Sequence, residues 1–201
     1  GADRYFGEFD YYLATVDYRR YKYFGKFGLA FRGMHLGRYG EGSDGIYPFF
    51  VGSSWFVRGY NTNGAGAILS ENGRSIEELF GSKMAVANFE VRIPFTGPER
   101  LALIKSGLFL SELTLFADAG VAWNDFSQLG GPTYRRDAEG NVLKGPSGEP
   151  LIDQLGAAPI ISTGVAMRVN LFGAMVLEPY YAFPLQREAK GTFGLNIIPA
   201  W

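Results

Sequence analysis

Leu113-Thr114-Leu115-Phe116-Ala117-Asp118-Ala119-Gly120-Val121-Ala122-Trp123 is the stretch whose reading decides the fold. Leu113, Leu115, Ala117, Ala119, Val121 and Trp123 share one parity, and Thr114, Phe116, Asp118, Gly120 and Ala122 share the other. Successive side chains of a strand point to opposite faces, so this period of two predicts one apolar face and one face that carries a carboxylate. Its length is close to the roughly 9–11 residues a tilted strand needs to cross a bilayer.

The same alternation recurs on both sides. Between Phe6 and Tyr23 it is loose, with Asp17, Arg19 and Tyr21 on one parity, and the face turned to lipid stays open. After a turn at Phe24-Gly25, Phe27, Leu29 and Phe31 oppose Gly28, Ala30 and Arg32 within Lys26–Arg38. In Met84–Pro94, Asn88, Glu90 and Arg92 oppose Phe89, Val91 and Ile93. Thr96-Gly97-Pro98 reads as a turn, and Leu101–Leu110 fits either a strand extension or a short interfacial helix. Ile161–Leu171 alternates again, Phe172-Gly173 turns, and Met175, Leu177, Pro179, Tyr181 and Phe183 form the next apolar row. The last segment sets Phe193, Leu195, Ile197 and Trp201 against Thr192, Gly194, Asn196 and Ala200. Seven strands result. Short turns at 23–26, 95–100 and 171–173 alternate with longer polar connections at 41–81, 124–156 and 184–191, as in outer-membrane barrels.

Composition narrows the function. The 201 residues carry 19 Lys+Arg against 20 Asp+Glu, no Cys and one His. Balanced charge gives no basic face for nucleic acid. Without Cys there is no disulfide framework and no thiolate chemistry. No apolar run approaches the ~18 residues of a membrane helix. The chain has neither an initiator Met nor a signal peptide, so it reads as a piece of a larger protein. Against a soluble sandwich stand two features. The polar parity gathers Arg32, Glu90, Arg92, Asp118, Arg168 and Glu178 with many glycines, which suits a water-filled lumen. Aromatics also collect at strand ends (Tyr21, Tyr23, Trp123, Tyr181, Phe183, Trp201), as interfacial girdles do. Seven strands cannot close in a membrane without unpaired backbone, so further strands are expected upstream of Gly1.

Phe56-Val57-Arg58-Gly59-Tyr60 lies within the Gly-rich connection Gly40–Gly81. Loops this long without structure of their own are usually functional or disordered. Four motifs, in order, resemble the BamA/TamA superfamily of outer-membrane assembly and translocation proteins (the bacterial surface antigen family). Val57-Arg58-Gly59-Tyr60 resembles its surface-loop motif, and Phe116-Ala117-Asp118-Ala119-Gly120 its F-x-D-x-G strand. Asn88–Arg92 is similar to its polar lumenal strand, and Phe193, Leu195, Ile197 and Trp201 to its C-terminal assembly signal. Two departures stand out: Gly52-Ser53-Ser54-Trp55 where the family commonly has a glycine pair, and Pro199 inside the terminal signal, which fits a strand with one weakly paired edge.

The resemblance implies an all-β fold, an antiparallel transmembrane β-barrel. Residues 1–201 would be the C-terminal portion of one barrel domain, about seven strands of sixteen, with surface loops at about 41–81 and 124–156. It implies the bacterial outer membrane, contact with lipid and lipopolysaccharide, client outer-membrane or secreted proteins, and accessory lipoproteins. Arg58, with Val57, Gly59 and Tyr60, would latch the loop onto lumenal Asp118 and Glu90, near Arg92, Phe116 and Gly120. A guanidinium presents a planar fork to a carboxylate, and Gly59 permits close approach or positive φ.

No Ser/His/Asp, Cys/His or HExxH arrangement is present, so no catalytic residue, cofactor or metal is expected. Asp137–Asn141 lacks the spacing of a calcium loop. His35 reads as a strand-end residue near the surface, and Arg19 and Arg20 as rim or lumenal charges. An anchor barrel for an upstream enzymatic (lipase-like) or binding domain, or a passive channel, are the competing functions. Arg58→Ala is expected to impair barrel assembly or activity, read as loss of the folded form; a charge exchange between Arg58 and Asp118 tests their pairing.

Overall fold

A computed structural model describes residues 1–5, 10–60, 75–100, 102–107, 110–130, 133–137, 139–154, 156–157, 159–186 and 190–199. In chain order the strands are β1 (Ala2–Tyr5), β2 (Tyr11–Phe24), β3 (Phe27–Tyr39), β4 (Phe49–Phe50), β5 (Phe80–Gly81), β6 (Lys83–Gly97), β7 (Ile104–Lys105), β8 (Leu110–Trp123), β9 (Thr133–Tyr134), β10 (Ile152–Gln154), β11 (Ile160–Leu171), β12 (Met175–Pro184) and β13 (Thr192–Pro199). The wall is one sheet in the order β1-β2-β3-β6-β8-β11-β12-β13, each neighbour antiparallel to the next. Among the described residues β1 and β13 do not pair with each other, so the sheet is an open arc of a barrel.

Register fixes which parity lines the concave side. Asn88 lies opposite both Arg32 and Asp118, and Asp118 lies opposite Ser162. The row therefore carries polar side chains inward across β3, β6, β8 and β11. The neighbouring parity sends Phe31, Phe89, Leu115, Val165, Tyr181, Phe193, Leu195 and Ile197 outward, all exposed. This is the lipid-facing row: an apolar face left uncovered by protein is stable only in an apolar solvent.

The first segment resolves in the same way. Arg19 pairs with Arg32 and Tyr21 with Ala30, which puts Asp17, Arg19 and Tyr21 on the lumenal side and Arg20 outside.

Hairpin turns close one end. Gly25 (φ 58) makes the first, and Phe172 (φ 54) with Gly173 (φ 75) the last. Positive φ at successive positions matches the right-handed twist of the paired strands, and Gly173 carries it without a Cβ clash. The opposite end bears the long connections. The described parts of the loop between β3 and β6 turn back into the arc instead of projecting. Its β4 pairs with β5, and a single 3-10 turn at Ile76–Leu79, capped by Ser75, drops Leu79 inward. Val51, Val57, Tyr60 and Leu79 from the loop then pack on Met34, Met84, Val86, Ala122 and Ile160 from the wall.

Several expectations are corrected. The seven expected strands are present as β2, β3, β6, β8, β11, β12 and β13, and the short β1 adds to them by folding back on β2; Phe6 lies outside the described residues. The described residues 102–107 of the segment Leu101–Leu110 form neither a continuation of β6 nor a helix. They make a connection in which β7 pairs parallel with Thr96-Gly97, and β8 starts at Leu110. Tyr21 and Tyr23 do not join a girdle, since they face the lumen; stacked Phe24 and Phe27 take the outward place beside that turn. The lumenal face is not polar throughout, because its loop end is a buried apolar core. Trp201 and Ala200 lie outside the described residues.

Two measurements check this arrangement. Leu115→Arg places a charge on the outward face near mid-strand and is expected to destabilise the barrel in lipid by ~2–4 kcal/mol, read from urea unfolding in vesicles. Gly164→Ala builds a methyl group onto the Tyr181 carbonyl oxygen and close to Phe116. It is expected to cost ~1–3 kcal/mol through overpacking, in the same assay.

Candidate functional site: the lumenal latch

The loop segment 53–60 is shaped by its own backbone and held by the wall. The Ser53 carbonyl accepts the N–H groups of Phe56 (2.8 Å) and Val57 (2.9 Å), which makes a tight turn. Three successive carbonyls then each accept from a different strand. Asn196 Nδ2 of β13 donates to Ser54 (3.4 Å), Arg32 Nη1 of β3 to Trp55 (3.2 Å), and Asn88 Nδ2 of β6 to Phe56 (2.7 Å). These carbonyls have no partner within the loop's own turn, and side chains of the wall supply one to each. Gly59 has φ +96 and lies against Ala182 and Pro184 of β12, where a Cβ would come within 3.0 Å of the Ala182 methyl group. The Tyr60 hydroxyl donates to the Ile161 carbonyl at 3.1 Å.

Arg58 sits at the centre. Its Nε donates to Asp118 Oδ2 at 2.7 Å and its Nη2 to Asp118 Oδ1 at 2.8 Å, a bidentate pair, and its backbone N–H adds a third bond to Oδ2 at 3.1 Å. Nη2 also lies 2.9 Å from Glu90 Oε1, and Nη1 is 3.5 Å from Glu178 Oε1. The guanidinium carbon stands 3.7 Å from the centre of the Phe116 ring, so the fork is stacked as well as paired. The side chains of Arg58 and Asp118 are 5% and 0% exposed, so neither charge has water to fall back on.

The surplus of carboxylates is balanced from the turn side. Arg92 binds Glu90 Oε2 through Nε (2.8 Å) and Nη2 (2.7 Å). Arg168 bonds through Nε to Glu178 Oε2 and through Nη2 to Glu90 Oε1 at 3.4 Å. Three arginines and three carboxylates thus form one connected layer across β6, β8, β11 and β12 and the loop. A second group lies beside it: Asp17 accepts from both Arg19 and Arg32, and Arg32 is the residue that also holds the Trp55 carbonyl.

The structure places the residues singled out from sequence as follows. Val57 and Tyr60 belong to the apolar core above the charged layer, and Arg58 and Gly59 to the layer itself. Asp118, Glu90 and Phe116 touch Arg58. Gly120 lies beneath Val51 and Val57, whose methyl groups would come 2.7 Å from any Cβ added there. Arg92 meets Glu90 rather than the loop.

Phe193, Leu195 and Ile197 face outward and take no part in the layer. His35 lies within β3 and not at its end. It is on the outward parity, 2.7 Å from the Tyr39 hydroxyl and stacked on Trp123 at 5.7 Å. Asp137 holds a turn, accepting the N–H groups of Glu139 and Asn141. Sequence reasoning missed Glu178, Asn88, Asn196 and Arg168 as members. Their one signal was inward parity, which does not tell how far along the barrel a side chain sits.

Removing Arg58 strands the Asp118 charge in a site without solvent. Arg58→Ala is expected to cost ~3–5 kcal/mol, measured as a lowered midpoint for release of the loop or loss of the folded form. The charge exchange proposed from sequence has a different outcome once the layer is seen. An aspartate at position 58 would face Glu90 and Glu178, so Arg58→Asp with Asp118→Arg is expected not to restore stability even though the native pair is real. Asp118→Asn is the informative variant: it keeps the shape, removes one charge and is expected to weaken seating of the loop less than Arg58→Ala does.

The family model described as the Omp85 superfamily domain matches residues 3–197. No curated protein matches the chain. A match that runs over nearly the whole sequence, on an antiparallel all-β wall with an apolar outer face, carries one conclusion: the chain belongs to the Omp85 superfamily, a family of outer-membrane protein insertion or translocation.

Proposed function

We propose that the chain is the C-terminal portion, residues 1–201, of a BamA/TamA-type barrel domain in the bacterial outer membrane. In this reading it inserts client outer-membrane proteins or passes secreted ones, and it performs no chemistry of its own. Residues 54–60 are its latch: Val57 and Tyr60 seat the loop, and Arg58 and Gly59 lock it on Asp118 and Glu90. Phe116 and Gly120 shape the seat and Arg92 steadies Glu90. Phe193, Leu195, Ile197 and Trp201 form the terminal signal read during the barrel's own assembly. Strands supplied by the rest of the protein complete the wall, lipid and lipopolysaccharide surround it, and accessory lipoproteins assist it.

The observation that carries this reading is the loop itself. A porin keeps a water-filled channel, whereas other outer-membrane barrels are plugged by loops, and the lumen here holds a surface loop tied to five strands. The loop here is bonded to side chains of β3, β6, β8, β12 and β13. Edge pairing offers a client strand main-chain hydrogen bonds along the outer side of β13, the general mode of β-augmentation.

The test is reconstitution. The full-length protein in phospholipid vesicles is mixed with a urea-unfolded outer-membrane barrel, and folding of that client is followed by protease protection. Client folding faster than in empty vesicles is expected, with Arg58→Ala slower than wild type. Folding no faster than in empty vesicles, accompanied by steady ion conductance, would overturn the proposal in favour of a channel.

A further inference from the structure

The outward row carries exposed charge in one place. On β3, β6, β8, β11, β12 and β13 the outward parity holds no Arg, Asp or Glu, and its one Lys is Lys83 at the loop end of β6, which is buried and donates to the Asn124 carbonyl. On β2 the same parity reads Tyr12, Ala14, Val16, Tyr18, Arg20, Lys22 and Phe24. Arg20 lies opposite Phe31, Lys22 opposite Leu29 and Phe24 opposite Phe27, so register with β3 puts both cations on the face that lipid covers. Both are exposed.

Their height on the wall follows from the turn. Phe24 and Phe27 stack across it with ring centres 5.6 Å apart and mark the interface on that side, which is the periplasmic side when the short turns face the periplasm. Lys22 is two residues from Phe24 and Arg20 is four. At ~3.3 Å per residue and a strand tilt of ~40°, their Cα atoms stand ~5 Å and ~10 Å above the aromatic level. Long basic side chains at that depth lay their stems along apolar surface and carry the charge to the headgroups. Lys22 already runs this way, with Nζ 4.8 Å from the centre of the Phe24 ring. Tyr18 and Phe31, 6.5 Å apart, border the patch on its other side.

We propose that Arg20 and Lys22 form a site for the phosphate of an anionic glycerophospholipid in the turn-side leaflet. This rests on reading the wall as spanning the outer membrane and adds which lipid one face of it selects. The occupant follows from charge and place. Two residues apart on one face, the Cα atoms are separated by ~7 Å, so a single phosphate can lie between the two side chains. The guanidinium presents its planar fork to two phosphate oxygens, and the ammonium adds a point charge. Two cations exceed the charge of one phosphate, so a headgroup whose phosphate is not balanced by its own ammonium fits better than a zwitterionic one. The site is also continuous with the uncovered apolar row, which acyl chains meet. A carboxylate on the wall strand beside this part of β2 is the rival partner, and the experiment separates the two.

The test is native mass spectrometry of the full-length protein released from detergent micelles, with phosphatidylglycerol or phosphatidylcholine added. Wild type is compared with two double variants. The first is Arg20→Gln with Lys22→Gln; the second, Arg100→Gln with Lys105→Gln, removes the same charge from the exposed turn between β6 and β8. Heat-modifiable gel mobility confirms that each barrel is folded. Wild type is expected to retain phosphatidylglycerol about tenfold more tightly than phosphatidylcholine, the scale of two basic residues at an anionic lipid surface. The first variant is expected to lose that preference and the second to keep it.

Equal retention of the two lipids by wild type, the result a neighbouring carboxylate gives, overturns the proposal. So does a preference that survives in the first variant, or one lost equally in the second, which is an effect of net charge. If the first variant does not fold, Lys22→Gln alone decides: a reduced preference is expected, and an unchanged ratio refutes the site. Folding in phosphatidylcholine vesicles is scored separately, so a barrel that folds there without lipid preference refutes the site and leaves the outer-membrane reading standing.

Discussion

The charge on Arg58 is buried, with its side chain 5% exposed, and much of the lumen is arranged around that fact. A guanidinium cannot neutralise itself by losing a proton, so it has to be met by anions or not be buried at all. Asp118 supplies two oxygens in the plane of the fork, Glu90 and Glu178 approach from neighbouring strands, and Phe116 covers one face. Those three carboxylates would repel one another without further cations, and Arg92 and Arg168 fill that need. Each charge makes the next affordable, which is why the layer spans several strands instead of one pair.

Above this layer the energetics change character. Val51, Val57, Tyr60 and Leu79 close an apolar core with the wall, so the loop is held by burial on one side of Arg58 and by charge on the other. The two forces differ in direction and in tolerance. Burial is non-directional and would let the loop slide, whereas the bidentate pair and the three held carbonyls fix its position along the strands. A loop fixed in this way has one seated position rather than a range of them.

The outer face obeys a simpler rule. Phe31, Phe89, Leu115, Val165, Tyr181, Phe193, Leu195 and Ile197 are uncovered apolar side chains on the same parity of successive strands. Water would penalise that surface, whereas hydrocarbon does not. The family assignment and the physical pattern therefore point the same way.

From Phe27 onward alternation alone sufficed for the long strands, for their two faces and for the carboxylate of Asp118, because a period of two is written directly into which residues are apolar. Arg58 was also legible, through the resemblance of Val57-Arg58-Gly59-Tyr60 to the family's surface-loop motif together with its place in a long Gly-rich loop. Three things were not legible. The inward turn of Tyr21 and Tyr23 depends on register with Ala30 and Gly28, which a single strand does not carry. The apolar upper lumen depends on which loop residues fold back onto Met34 and Met84. The membership of Glu178 and Asn196 depends on the relative height of strands far apart in sequence, and height is set by every ladder between them. The sequence by itself determined which side chains could meet; tertiary structure decided which did, because distance across a sheet is the sum of its registers.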